Sequence, residues 1–149
     1  MAQWLMKSEP DVFSIDDLER QRTTAWEGVR NYQARNFMRA MKRGDLAFLY
    51  HSNCEEPAIV GVMEIAHEAY PDPTQFDPKS EYYDPASERS EPRWSLVDVR
   101  FKRRLRRPLG LKELRAQKPL ASMRLLRRGN RLSVTPVSDR ESQIILRME

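Results

Sequence analysis

One cysteine, two histidines and five dispersed glycines leave this chain of 149 residues short of the parts from which several kinds of site are built. Cys54 alone allows neither a disulfide within the chain nor a cysteine-based metal cluster, which fits a reducing compartment. His51 and His67, with scattered acids around them, show no metal-ligand spacing. The glycines stand too far apart for a phosphate-cradling loop. No apolar run approaches the roughly 18 residues needed to span a bilayer, and the short apolar start WLM lacks a basic leader and a cleavage pattern. A soluble, unexported monomer is expected, with no metal, cofactor or membrane partner. The length, with 40% hydrophobic residues, suits a single compact domain over 1–149.

Charge is plentiful but unevenly placed. Between Arg100 and Arg131 stand thirteen Lys or Arg and one acid, Glu113, a local net charge of +12 within a total of +4. Glu64 to Pro92 runs the other way, with eight acids against Lys79 and Arg89. So dense a basic block attracts polyanions through phosphate neutralisation and counterion release, which makes nucleic acid the first partner to consider. Solvated strand edges and helix faces would account for many of the same arginines.

Along the chain, QWLMK at residues 3 to 7 reads as a strand, with Trp4 and Met6 alternating against Leu5. Ser14 and Asp17 form a capping-box pattern for a short helix ending near Gln21. TTAWEG follows as a loop. A second helix is expected from Asn31 to Lys42, with Ala34, Phe37, Met38 and Met41 on its buried face and Gly44 as its C-terminal cap. LAFLY (46 to 50) and the run from Ala58 to Tyr70 read as antiparallel strands, the second apolar on both faces and therefore central. Residues 70 to 93, rich in proline and aspartate, form a loop long enough to be functional or disordered. WSLVDVRFKRRL is a strand with one wet, basic face. Short helices are expected over 111–117 and 120–128, then a last strand, RLSVTPV, that Pro136 pushes to an edge. Ser138 and Glu141 repeat the capping-box pattern before a closing helix. These elements amount to an α+β domain, a small and mostly antiparallel barrel carrying helices.

A serine–histidine triad is the easy enzyme reading, but His51 and Ser52 are adjacent, and neighbours on a strand point to opposite faces. Binding has more support. Trp26 precedes Gly28 in a loop leading into a helix, where an indole could form a flat wall for a ring or simply belong to the core. Asn31 at the helix start is either the N-cap or an amide that reads a base edge; unpaired bases are recognised by stacking plus such hydrogen bonds.

WLMKSEP, WEGVRNYQARNFMR, MKRGDLAFLYHS, EAYPDPTQFDPKSEYYDP, PRWSLVDVRF and RLSVTPV, in this order over nearly the whole chain, closely resemble the EVE domain. That resemblance implies a PUA-like fold, a small, mostly antiparallel β-barrel flanked by short helices. It also implies a non-catalytic module that holds a flipped, modified base, with modified cytosine in DNA favoured and RNA as the alternative. Trp26 would then be a wall, Ser8 and Asn31 hydrogen-bonding groups, Val29 and Tyr32 the rim, and His51 and Ser52 the floor. Lys7, Arg30, Arg35, Arg39, Arg103 and Arg104 would hold flanking phosphates, while the acidic loop lies clear of the backbone path or acts as a lid. The family occurs in bacteria and in nuclei, so a cytoplasmic or a nuclear location is expected according to source. The rivals are a small nuclease or base-processing enzyme using Asp84, His51 or Glu27, and an adaptor that recruits one.

Overall fold

A computed structural model describes all of residues 1–149. Six strands form one sheet: β1 (Gln3–Ser8), β2 (Thr23–Ala25), β3 (Leu46–His51), β4 (Ala58–Pro71), β5 (Ser95–Gly110) and β6 (Val134–Val137), in the order β2-β5-β4-β3-β1-β6. Every pairing is antiparallel except β1 with β3, which is parallel and therefore needs a crossover. Residues 9–45 supply it, carrying helix α1 (Ile15–Gln21), β2 and helix α2 (Tyr32–Ala40). Helices α3 (Leu111–Arg115) and α4 (Asp139–Met148) complete the α+β fold.

Strand alternation divides the apolar residues between two cores. Trp4 and Met6 of β1 join Met63 and Ile65 of β4, Val97 and Val99 of β5, and the inner faces of α1 and α2 on one side. Leu5, Phe48, Ile59, Leu109 and Ile145 gather on the other, beneath α4. β4 is central, as its two apolar faces predict. Irregular register between Ile59 and Gly61, and at three further places along the β4–β5 pair, lets these long strands bend. No ladder joins β2 to β6, so the expected barrel is, in hydrogen-bond terms, an open sheet. Its edge strands are only three and four residues long, and Pro136 has no N–H to donate.

Local signals hold where a specific side chain enforces them. Ser14 accepts from Asp17 N while Asp17 accepts from Ser14 N, and Ser138 with Glu141 does the same. They fail at several short segments that lack such a side chain. TTAWEG contains the short strand β2, paired with residues 98–100 of β5. The helix expected over 120–128 is absent; 3₁₀ turns at Lys118–Leu120 and Arg124–Leu126 replace it, and Met123 and Leu125, which would face nearly opposite sides of an α-helix, both enter the core with Leu120. α2 ends at Ala40 with Met41 as its cap. Gly44, at φ +93°, instead serves the turn that brings its N–H to Ile65 O. Helix 111–117 shortens to α3, and RLSVTPV contributes only its last four residues.

Candidate nucleic-acid interface

Between the end of β1, the start of α1 and the segment from β2 to α2 lies a cavity of about 360 Å³, open to solvent on one side. Its walls come from residues 7–9, Val12, Phe13, residues 24–30, Tyr82 and Ser133. Trp26 is held at the back. Its backbone N–H donates to Val97 O at 2.8 Å, and its ring meets Phe13 edge to face, centroids 6.3 Å apart. Only 8% of Trp26 is exposed, so it is both core and cavity wall, and the two roles do not compete. Val29 lies buried beside it. The Ser8 hydroxyl donates to Phe13 O at 2.7 Å, which leaves its oxygen free to accept.

The opposite wall depends on Asp72. This fully buried carboxylate accepts from Gly28 N (2.8 Å), Thr74 N (2.8 Å), Thr74 Oγ1 (2.5 Å) and Arg30 Nη1 (3.0 Å). Burial opposes its charge, but these donors together hold its pKa below the ordinary carboxylate value. Arg30 also donates to Tyr82 O at 3.0 and 2.8 Å and to Thr74 Oγ1 at 2.9 Å, and so ties the acidic loop to the rim. Tyr82 packs on Gly28, where a Cβ would come 2.6 Å from its ring; Gly28 also needs φ +87°. The acidic loop is thus part of the wall. Two charged residues of the cavity have no hydrogen-bond partner for their side chains. Burial lowers the Lys7 pKa, while burial and then the charge of Asp72 raise that of Glu27 against Arg30.

The expected site residues do not all meet. Ser8, Trp26 and Val29 line the cavity, and Lys7 and Arg30, expected at phosphates, line it too. Asn31 is the N-cap of α2, its side chain accepting from Ala34 N at 3.0 Å. Tyr32 turns outward, half exposed, stacked on Trp94 at 4.8 Å under the Arg35 guanidinium. His51 and Ser52 do not line the cavity; the parallel pairing sets His51 beside Ser8, and Ser52 N donates to Ser8 O at 3.0 Å. His51 Nε2 accepts from Ile15 N at 3.1 Å. Arg35 and Arg39 bond to Arg93 O and Ser95 Oγ around a separate hollow that Glu88 and Glu91 also line. Arg103 pairs with Glu149 at 2.6 Å, and Arg104 with Asp16 and Glu19, away from the cavity. Of Asp84, His51 and Glu27, only Glu27 faces the cavity; Asp84 accepts from Trp94 Nε1 at 2.8 Å. No group of three His, Cys, Asp or Glu side chains is placed to hold a metal ion, and no helix is long and apolar enough to cross a membrane.

Sequence reasoning missed Phe13, Asp72 and Tyr82. Only Asp72 left a signal: DPT is an Asx-turn pattern, and its carboxylate does cap the 3₁₀ turn Pro73–Phe76.

The EVE domain model matches residues 2–148. The chain belongs to the EVE domain family. Human thymocyte nuclear protein 1 is 48% identical over 167 residues, covering 99% of this chain and 74% of that protein. A crystal structure of a Pseudomonas syringae protein superposes with a TM-score of 0.96 at 48% identity, covering 99% of each chain. Human THYN1 protein solved in complex with DNA containing 5-methylcytosine gives a TM-score of 0.95 at 48% identity, covering 99% of this EVE chain and 97% of that one. A fold shared so closely along nearly the whole length means that α1, β2 and the loop before α2 have counterparts in a protein crystallised on modified DNA.

Proposed function

We propose that this EVE domain reads DNA by admitting a flipped, modified cytosine, 5-methylcytosine favoured, into the cavity walled by Trp26, and that it does no chemistry on the base. The observation that carries this is the relative solved with 5-methylcytosine DNA, joined to a cavity of about 360 Å³ of the size and mixed apolar–polar lining that suit one ring. Extruding a base costs a few kcal/mol, and stacking on an aromatic wall returns about 1–3 kcal/mol of it. Ser8, Lys7 and Glu27 supply an acceptor, a donor and an anionic acceptor for the base edge, with Val29 and Phe13 as the apolar side that a 5-methyl group would meet. A methyl in such a niche is worth about 1–3 kcal/mol, enough for preference and not for absolute selection.

The PUA-like barrel belongs to the same reading: the curled sheet is the shell around one flank of the cavity. A monomer belongs to the same reading. The name of the human relative supports a nuclear setting in eukaryotes, with the cytoplasm as its bacterial counterpart. Anisotropy titrations with duplexes carrying cytosine, 5-methylcytosine or 5-hydroxymethylcytosine, and with matched RNA, test the reading. The methylated DNA should bind tightest, and Trp26→Ala should lose about 5- to 150-fold, the equivalent of one stacked base. Equal binding of all ligands with no effect of Trp26→Ala overturns it, tightest binding to RNA transfers the role to an RNA reader, and product formation on any ligand would make the domain an enzyme.

A further inference from the structure

A flipped base arrives with phosphates on both sides, and Lys7 is the one free cation that the cavity wall can offer them. Arg30 is committed to Asp72, Thr74 and Tyr82. Within the basic block Arg103 is committed to Glu149, Arg104 to Asp16 and Glu19, Arg107 to Glu113, and Lys102 lies within 3.8 Å of Glu64, while Arg100, Arg106, Lys112, Arg115 and Lys118 are in no ion pair but line no part of the cavity. The last four arginines of the block are the free ones whose segment leads to the cavity. Arg124, Arg127, Arg128 and Arg131 have no acidic side chain within 4 Å. Arg124 rests over the Phe37 ring at 5.2 Å, which fixes this segment against α2, and the other three are exposed.

The segment also runs to the cavity. Asn130 N donates to Arg127 O at 3.1 Å across a turn that Gly129 makes at φ +76°, and the chain then reaches Ser133. Ser133 lines the cavity, and its carbonyl accepts from Lys7 N at 2.8 Å. Asn130 Nδ2, in the same turn, is a buried donor without a partner. Three guanidiniums without an acidic partner, of which Arg127 donates through Nε to Ser122 O at 3.1 Å, therefore stand within a few residues of one cavity wall.

We propose that residues 124–131, with Arg127, Arg128 and Arg131 as the contacting groups, form the strip that grips the DNA backbone beside the flipped nucleotide, in place of Arg103 and Arg104. This rests on the reading of the cavity as a base site. Phosphates neutralised there fix position and add salt dependence without adding base preference.

The test compares wild type, an Arg127→Ala, Arg128→Ala, Arg131→Ala triple variant, the corresponding triple lysine variant, and Arg103→Ala with Arg104→Ala. Each is titrated against duplexes with and without one 5-methylcytosine over a potassium chloride series. The alanine triple should flatten the slope of log K against log salt by about 2–3, at about 0.9 for each phosphate no longer neutralised, while the ratio between the two duplexes holds. The lysine triple should keep the wild-type slope, and so should the Arg103, Arg104 pair. A wild-type slope in the alanine triple, or a flattened slope in the Arg103, Arg104 variant alone, overturns the strip. A wild type that binds DNA without preferring the methylated duplex overturns the base reading but leaves the slope comparison decisive for the strip. One that binds neither duplex overturns both.

Discussion

Replacing Asp72 by alanine removes the acceptor on which one wall of the cavity is assembled. The carboxylate is fully buried and takes four donors. Without it the Gly28 and Thr74 N–H groups lose their acceptor and Arg30 loses its counter-charge. Breaking a buried ion pair from one side costs about 3–5 kcal/mol. Arg30 keeps its bonds to Tyr82 O and its side chain is 21% exposed, so the lower end, about 3 kcal/mol, is the appropriate figure. At roughly 2–4 °C per kcal/mol for a chain of this size, Tm should fall by about 6–12 °C. Urea unfolding followed by tryptophan fluorescence measures the change directly. Acidity adds a second signature: because the folded pKa of Asp72 lies below its unfolded value, its contribution is complete above about pH 3.9 and is lost as pH falls through the folded value. The gap between wild type and variant should therefore narrow in acid. A loss under about 1 kcal/mol at neutral pH, or a gap independent of pH down to strong acid, would refute the account of Asp72 as the organising charge.

Gly28→Ala should destabilise by about 1–3 kcal/mol through its positive φ, and Tyr82→Ala in the same chain should relieve only the clash with the ring, so a thermal melt of the double variant should not recover wild-type stability. Ser14→Ala should cost about 0.5–2 kcal/mol in a denaturant melt by opening the α1 capping box. Burial lowers the His51 pKa, with Asp16 opposing and Arg104 reinforcing. The neutral ring is the form that accepts from Ile15, so wild-type stability should decline as pH falls below about 6.5 and on through the lower folded value. His51→Gln should lack that decline in pH-dependent melts.

How much the sequence discloses follows the range of each interaction. Capping boxes at Ser14 and Ser138 are closed within four residues and are readable. So is central β4, because burial on two faces leaves its mark along Ala58 to Ile65. β2 is not, since three residues carry no periodicity and its pairing with β5 is set by partners far along the chain. The same limit governs the site. Trp26, Ser8 and Val29 share one cavity, yet Asn31 is spent on a local cap and His51 on the Ile15 N–H of the helix it faces. Motif proximity suggests convergence, but the turn of α2 points Tyr32 away from the cavity and toward Trp94. The arginines carry the same lesson in electrostatic form, because Asp16, Glu19 and Glu149, which neutralise Arg104 and Arg103, lie far from them in sequence.

The insertion of β1 between β3 and β6 also orders events in time. A ribosome releases the first strand long before either neighbour exists, so its Leu5 and Met6 must wait, incompletely sheltered, through the synthesis of more than a hundred residues until Val134 to Val137 emerge. Ser133, beside that last strand, contributes to the cavity as well. A nascent chain halted before residue 133 should therefore lack both the last partner of β1 and part of the cavity wall, and protection of Leu5 and Met6 should appear only once Val134 to Val137 can pair.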